Sequence, residues 1–552
     1  MNERTKTGLE ILQAAVLLGV LGDVLLRTTP WGLNVLLFIG ALTAAFVMLI
    51  LRRKREFWNA QTIALNIALV FFAAMFVWRD SVELKTFDTL AILTILGILT
   101  LPALKIKTQI AGVFHYFIGF IWAGISAGFG PFFLLLGDVK WKTIPQTGWS
   151  KHLIAVLRGL AIAVPILLIF GALFVAADAV FQGIVERTFN IRPDILVAHF
   201  FFIGFFSWII AGYLRGSLIE NFSNIGAETF LETKTEIKPQ ILSITEIKDE
   251  DATKAEANPK KEEKKWSWQN LDNSVLPASL TLGAIEVSIV LGLINLLFLS
   301  FVIVQIPYLF GGFELVQNTP DFKLAEYARR GFGELVAVAA LVLPILLASH
   351  WLLRKDSPVN EKIYRVLAGI QIALLFVIMI SAAQRLFILT GNLGYGLTTV
   401  RFYPMVVMIW LAVVFIWFAA TILRGARQQF AWGALWSAIF ILGILHFVNP
   451  DEYIVRTNIR LMDQGRIFDA RYNSNLSDDA VQVLLENLPA MNFEGQCTVK
   501  DKLAQRLRKA ETENDFRTWN FSRWKARNEL TANAENFNTS NCPDYRNSFG
   551  DF

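Results

Sequence analysis

The chain has 552 residues, of which 54% are hydrophobic and 18% are charged, and its mean hydropathy is +0.47. This composition excludes an ordinary set of soluble domains, because apolar runs long enough to cross a bilayer alternate with short charged loops. The net charge is +5. The Lys and Arg residues stand at the ends of the apolar runs, as the positive-inside rule predicts, so no nucleic-acid partner is expected.

The first part of the chain, residues 1–215, contains seven apolar segments. They run over residues 9–26, 31–51, 58–78, 87–104, 110–136, 153–176 and 195–214. A segment in lipid must satisfy its own backbone hydrogen bonds, so each is predicted to be a helix. No small-residue cleavage site follows the first segment, which is therefore interpreted as a retained span rather than a signal peptide.

A charged linker, residues 216–275, follows these segments and is rich in Lys and acidic residues. It has too little apolar surface to bury, so it is predicted to be a disordered cytoplasmic loop. The alternative is a short charged helix that extends from Trp266.

The second membrane region, residues 276–448, contains five further segments, at 280–305, 333–353, 364–390, 402–423 and 430–448. The sequence therefore predicts an all-α, polytopic transmembrane helix bundle with about 11–13 spans, in contact with the lipid bilayer.

Basic loops follow the second, ninth and eleventh segments, and all of them are predicted to be cytoplasmic. Seven full crossings before the linker would reverse the second region, so either one segment does not cross once or a crossing is missed. Segment 110–136, interrupted by Gly128, Gly130 and Pro131, is the expected exception and is predicted to enter and return on the same side. Parity then places loops 306–332 and 391–401 on the side of the C-terminal tail, which is expected to be extracytoplasmic.

The tail, residues 449–552, begins with Asn449-Pro450-Asp451, a sharp stop after the last span. Ser477-Asp478-Asp479 is predicted to cap a helix, and residues 499–513 and 522–532 are predicted to form two more. The two cysteines of the chain, Cys497 and Cys542, both lie in this tail. An oxidising periplasm predicts a disulfide between them.

Polar residues cluster near one predicted membrane face of the second region. The candidate ligand-binding residues are Glu326, Tyr327, Arg329, Arg330, Glu334, Arg385, Tyr395, Thr398 and Arg401. Arg with Tyr suits an anionic group such as a lipid phosphate or a carboxylate. The alternative is an interfacial salt-bridge network that fixes helix packing, with Tyr as a membrane anchor.

Several of these stretches resemble a known bacterial membrane family. Tyr308-Leu309-Phe310-Gly311-Gly312, the stretch AEYARRGFGEL, and Tyr395-Gly396-Leu397-Thr398 are similar to the family called domain of unknown function 4173. The resemblance covers about 280 to 490, including Asn449-Pro450-Asp451 and LSDDAV, and Trp519-Asn520-Phe521-Ser522-Arg523-Trp524 is similar to related tails. Elsewhere only the pattern of spans is similar. The resemblance implies a bacterial inner-membrane protein with a shared fold, and it implies no activity.

Charged residues inside the predicted spans, Asp23, Arg158 and Glu286, are expected to face the bundle or a cavity. The sequence has no metal-ligand, nucleotide-binding or redox motif, so no cofactor, metal or catalytic set is predicted.

Three hypotheses for the function follow. The first is a non-enzymatic protein that binds or moves a small anionic or lipidic molecule at the polar cluster. The second is a sensory or assembly component whose tail recognises an extracytoplasmic protein partner. The third is a membrane enzyme that acts on lipid or cell-wall precursors.

Overall fold

The structure is a computed structural model, and its described residues fall into seven ranges and one cysteine. They are 2–141, 193–219, 281–310, 332–354, 357–392, 396–512, 515–537 and Cys542. The predicted segment 153–176, Arg158 and the linker after Ile219 lie outside the described residues.

Eleven helices among the described residues are long and apolar enough to cross a membrane. They are α1 (Glu3–Leu26), α2 (Leu33–Arg53), α3 (Ala60–Trp78), α4 (Val82–Ile98), α5 (Val113–Phe133), α6 (Pro193–Leu218), α7 (Ala284–Phe310), α8 (Phe332–Leu352), α9 (Pro358–Phe387), α10 (Thr399–Thr421) and α11 (Phe430–Val448). The predicted all-α polytopic fold is confirmed. Each described helix overlaps a segment that apolar length alone predicted.

The tail contains five helices in its described part. They are α12 (Pro450–Asp463), α13 (Ala470–Ser474), α14 (Val481–Asn487), α15 (Phe493–Thr512) and α16 (Phe521–Ala532). The last three correspond to the helices predicted after Ser477 and at 499–513 and 522–532. The predicted side-chain cap at Ser477 is absent. Its hydroxyl instead donates to Asp479 Oδ2 at 3.1 Å.

The sulfur atoms of Cys497 and Cys542 lie 2.09 Å apart, at disulfide distance as predicted. The bond joins α15 to a residue 45 positions later in the chain. It therefore closes a loop that contains α16.

The tail packs on one end of the helix bundle, called here the tail face. The backbone N–H of Leu33, at the start of α2, donates to Trp519 O at 2.9 Å. Asn520 Nδ2 donates to Arg79 O, just after α3, at 2.9 Å. Near α10, Asn458 Oδ1 accepts from the N–H of Leu397 at 2.6 Å. The other end of the bundle, called the opposite face, carries the basic residues Arg53 and Arg427.

The second region, α7–α11, crosses between these two faces five times. Leu282, before α7, bonds through its N–H to Leu352 O at 2.8 Å, so α7 begins where α8 ends. Asn360 Nδ2 in α9 donates to Arg354 O at 3.1 Å. These contacts lie on the opposite face, and α10 begins on the tail face. Phe310 and Phe332 therefore both lie at the tail face, in agreement with the parity argument.

Helix α5 begins and ends near the opposite face. Gln109, just before α5, accepts from Gln61 Nε2 at 3.1 Å at the start of α3. Asp138, just after α5, accepts from Arg4 Nε and from Arg215 Nε, each at 2.6 Å. Arg4 begins α1 and Arg215 ends α6, and both positions belong to the opposite face. Both ends of α5 therefore lie near the opposite face. That this segment enters and returns on the same side of the membrane stays a prediction.

Helix α11 is shared by the three apolar cores of the structure. Trp432 and Leu435 pack against the core of the first region. Phe430 lies in the core of the second region. Leu445 lies in the core of the tail. Because one rigid helix contributes to all three cores, the two membrane regions and the tail form a continuous packed unit.

Candidate functional site

A polar cavity of about 820 Å³ lies between the tail and the tail face of the bundle. It is called here the cleft. Its lining comes from the loop between α1 and α2, from the start of α4, from the 475–478 turn, and from α15 and α16. The charged residues that line it are Asp80, Glu83, Lys85, Asp451, Asp478, Arg506, Lys509, Arg523 and Arg527.

Asp451 lies in the first turn of α12, which Pro450 opens. Asn449 adopts φ +54°, a left-handed conformation that lets the chain turn sharply between α11 and α12. Asp451 is 1% exposed, and its Oδ2 accepts from the N–H of Ser477 at 3.1 Å. Its Oδ1 is buried without a hydrogen-bond partner among the described residues. Burial raises the pKa of Asp451 to about 6, and hydrogen bonding from Ser477 offsets only part of that rise.

Asp479 lies beneath the cleft and ties the tail to the turn between α3 and α4. Its carboxylate accepts from the N–H of Asp80 at 2.7 Å and from that of Ser81 at 3.1 Å. Arg79 Nη1 lies 3.3 Å away, and Ser522 Oγ donates to the same carboxylate. These bonds satisfy a buried charge with donors from both the tail and the bundle.

The basic side of the cleft comes from α15 and α16. Arg506 Nη1 donates to Asp478 Oδ1 at 2.9 Å, and its Nη2 donates to Ser474 O at 2.9 Å. Burial raises the pKa of Asp478, whereas Arg506 acts to lower it. On α16, Arg523 Nε lies 3.6 Å from Asp80. Each of these Arg residues therefore has a fixed position at the wall of the cleft.

The lining of the cleft continues along α4. Val82, Thr86 and Thr89, on one side of α4, line it over two helical turns. Val82, the first residue of this candidate membrane span, is 73% exposed. Trp31, which also lines the cleft, is exposed, as is common for Trp at a membrane interface.

This arrangement suits a ligand with an anionic group and an apolar part. Lys and Arg bind phosphate and carboxylate through charge-assisted hydrogen bonds. The described residues contain no group of three or more His, Cys, Asp or Glu side chains placed to hold a metal ion.

The sequence-predicted polar cluster is only partly described. Glu326, Tyr327, Arg329, Arg330 and Tyr395 lie outside the described residues. Their role stays a prediction.

The four described residues of this predicted polar cluster lie at the tail-face ends of three helices. Glu334 is exposed in the first turn of α8, and Arg385 is buried in the last turn of α9. Thr398 precedes α10, and Arg401 Nη1 donates to Gly396 O at 2.5 Å. Thr398 and Arg401 are thus brought together beside the tail. None of these four residues lines the cleft.

Two polar pairs of described residues lie inside the bundle. One contains Asp23, which was expected to face the bundle or a cavity, and the other was not expected. Asp23 is buried and pairs with His199 of α6. Glu286 is exposed in the first turn of α7. Asp88 of α4 and His446 of α11 form a fully buried pair at 2.9 Å that was not predicted, because it joins residues 358 positions apart.

Sequence reasoning missed the cleft itself, although it singled out three of the motifs that build it. Asn449-Pro450-Asp451 supplies the buried carboxyl group. LSDDAV supplies Asp478 and Asp479. The tail stretch 519–524 supplies Asn520, Ser522 and Arg523. These three motifs meet at the cleft because of tertiary contacts, which no local sequence pattern reveals.

The family model of Domain of unknown function (DUF4153) matches residues 66–487. The match covers more than half of the chain. The chain belongs to the DUF4153 family. Comparison with the curated proteins finds no match. No solved structure matches either.

The expected assignment to domain of unknown function 4173 is therefore wrong. The DUF4153 match begins at Asn66 in α3, so it also covers most of the first region, where the resemblance was restricted to a pattern of spans. Short Arg, Tyr and Gly motifs at helix ends meet the same interfacial demands in many membrane proteins. They cannot separate families as a match over most of the bundle does.

The DUF4153 match divides the cleft into two parts. It includes Asp80, Glu83, Asp451 and Asp478, which supply the negative charges. It ends at Asn487, before α15 and α16. Four of the basic residues, Arg506, Lys509, Arg523 and Arg527, lie beyond the matched residues.

Proposed function

We propose that this DUF4153 protein binds the phosphate-bearing headgroup of a membrane lipid in the cleft. The tail and the cleft are extracytoplasmic in this proposal, and the protein resides in a bacterial inner membrane. The observation that carries the proposal is the position of the basic residues Lys85, Arg506 and Arg523 in a cavity whose lining continues along α4, a candidate membrane span.

The geometry favours a lipid over a wholly soluble anion. A soluble anion needs only the basic residues of α15 and α16, whereas the lining formed by Val82, Thr86 and Thr89 continues over two turns of a candidate membrane span. A cavity of about 820 Å³ is also larger than a phosphate ion requires and lies within the range of small-molecule sites.

Native mass spectrometry of the purified protein, titrated with dioleoyl phospholipids, tests this proposal. The double variant Lys509→Glu/Arg527→Glu reverses charges at the wall of the cleft. We expect it to weaken lipid binding by about tenfold or more, because charge-assisted hydrogen bonds contribute about 1.5–3 kcal/mol each.

The matched control is Arg508→Glu/Lys525→Glu, which changes the net charge equally on the same two helices but outside the lining of the cleft. Equal loss in both variants would refute a site at the cleft. Glycerol 3-phosphate added as a soluble competitor separates a free phosphate ester from a lipid. Chemical conversion of the added lipid would favour the enzyme hypothesis instead.

A further inference from the structure

Charged residues of both signs line the cleft. The basic residues Arg506, Lys509 and Arg527 come from α15 and α16, whereas the acidic residues Glu83 and Asp451 come from α4 and α12. A purely anionic headgroup is attracted by the first set and repelled by the second. A headgroup with both charges meets a partner of each sign.

Among the described acidic residues that line the cleft, Asp451 is the one with a buried carboxylate oxygen that lacks a hydrogen-bond partner. Its Oδ2 is occupied by the N–H of Ser477, but Oδ1 is buried and has no partner among the described residues. A buried acceptor without a donor costs free energy, and such atoms are rare in folded proteins. A donor brought by the ligand would satisfy this oxygen.

The groups that face Asp451 indicate which donor fits. Asp451 interacts electrostatically with two carboxylates, those of Glu83 in α4 and Asp479. It also interacts electrostatically with two phenols, those of Tyr403 in α10 and Tyr472 in α13. The two carboxylates make the local potential negative, and the two phenols are neutral. A cationic donor is therefore favoured over a neutral hydroxyl.

We infer that the lipid is an aminophospholipid, with its phosphate at the basic residues of α15 and α16 and its primary ammonium group donating to Asp451 Oδ1. This inference rests on the proposed function and names its ligand class. A primary ammonium has three N–H donors, whereas a trimethylammonium has none and cannot make this bond.

The pH dependence follows from the ionisation of Asp451. Binding of an ammonium group requires the carboxylate, and burial raises the pKa of Asp451 to about 6. The affinity for an aminophospholipid therefore falls as the pH drops from 7 to 5. A purely anionic headgroup predicts the reverse, because protonation of Asp451 removes a repulsion.

The test measures binding of dioleoyl phosphatidylethanolamine, phosphatidylcholine and phosphatidylglycerol to the full chain at pH 7 and pH 5. The expected result is a preference of about tenfold for phosphatidylethanolamine at pH 7. This preference should disappear at pH 5 and in Asp451→Asn. Folding of that variant is checked by the protease resistance of its tail, and if it does not fold, the pH comparison on the unaltered protein decides.

Equal binding of the three lipids, or a preference that survives both pH 5 and Asp451→Asn, would overturn the inference and leave the proposed function standing. Retention of none of the three lipids would overturn the proposed function itself.

Discussion

Asp479 accepts a hydrogen bond at 2.7 Å from the backbone N–H of Asp80, a residue 399 positions earlier in the chain. Backbone donors in a turn have no alternative partner when the turn is covered by another part of the protein. The carboxylate of Asp479 therefore determines where the tail rests on the bundle.

Asp479→Asn is expected to release this contact. The change removes the charge that partners Arg79, a largely buried cation, and places an amide N–H₂ among N–H donors. Breaking such a pair costs about 3–5 kcal/mol. We expect the tail to become sensitive to protease in membrane vesicles. Glu494→Gln, at an exposed position of α15, serves as the control, and equal resistance of the two variants would contradict the docking role.

Gly396→Ala tests a second contact between the tail and the bundle. Gly396 adopts φ +70°, and an added Cβ would lie 2.7 Å from Asn458 Oδ1. The left-handed conformation alone costs a non-glycine residue about 1–2 kcal/mol. We expect a lower thermal unfolding midpoint than for Gly391→Ala, because a Cβ on Gly391 meets nothing within 4 Å. Identical midpoints would argue against a constraint at this turn.

The disulfide between Cys497 and Cys542 is expected to stabilise the tail. The chain-entropy relation for a separation of 45 residues gives about 4 kcal/mol. Thiol alkylation followed by intact-mass measurement should detect no free thiol before reduction and two afterwards. Two free thiols in protein purified without reductant would contradict both the bond and an oxidising location for the tail.

The location of both ends of α5 near the opposite face predicts a labelling pattern. In a Cys497→Ser/Cys542→Ser background, Gln109→Cys and Lys140→Cys should react with an impermeant maleimide from the same side of the membrane. Arg55→Cys should share that side, which is cytoplasmic in our proposal, and Trp31→Cys should react only from the other. Labelling of positions 109 and 140 from different sides would show that α5 crosses.

The spans were predictable because apolar length is a local property. Segment 430–448, for example, coincides with α11 to within one residue over its whole length. The parity conflict singled out the segment around Pro131 from the basic loops alone, and its same-side return stays a prediction.

The cleft was not predictable, because its residues come from parts of the chain that only the fold brings together. Ser477-Asp478-Asp479 reads locally as a helix cap. In the structure Asp479 instead accepts hydrogen bonds from the backbone N–H groups of Asp80 and Ser81 in the bundle. The same limit applies to Asp88 and His446, which lie 358 positions apart and form a pair only because α4 and α11 pack together.

The tail bonds found at Leu33, Asp80 and Leu397 have a consequence for biogenesis. The membrane helices are synthesised before residues 449–537, yet three of the turns at their tail-face ends find partners only in that later stretch. A nascent chain that has inserted all its spans still carries exposed backbone donors at the tail face. Docking of the tail is then the step that completes the folding of the membrane domain, and a quality-control protease would encounter every chain in which docking stalls.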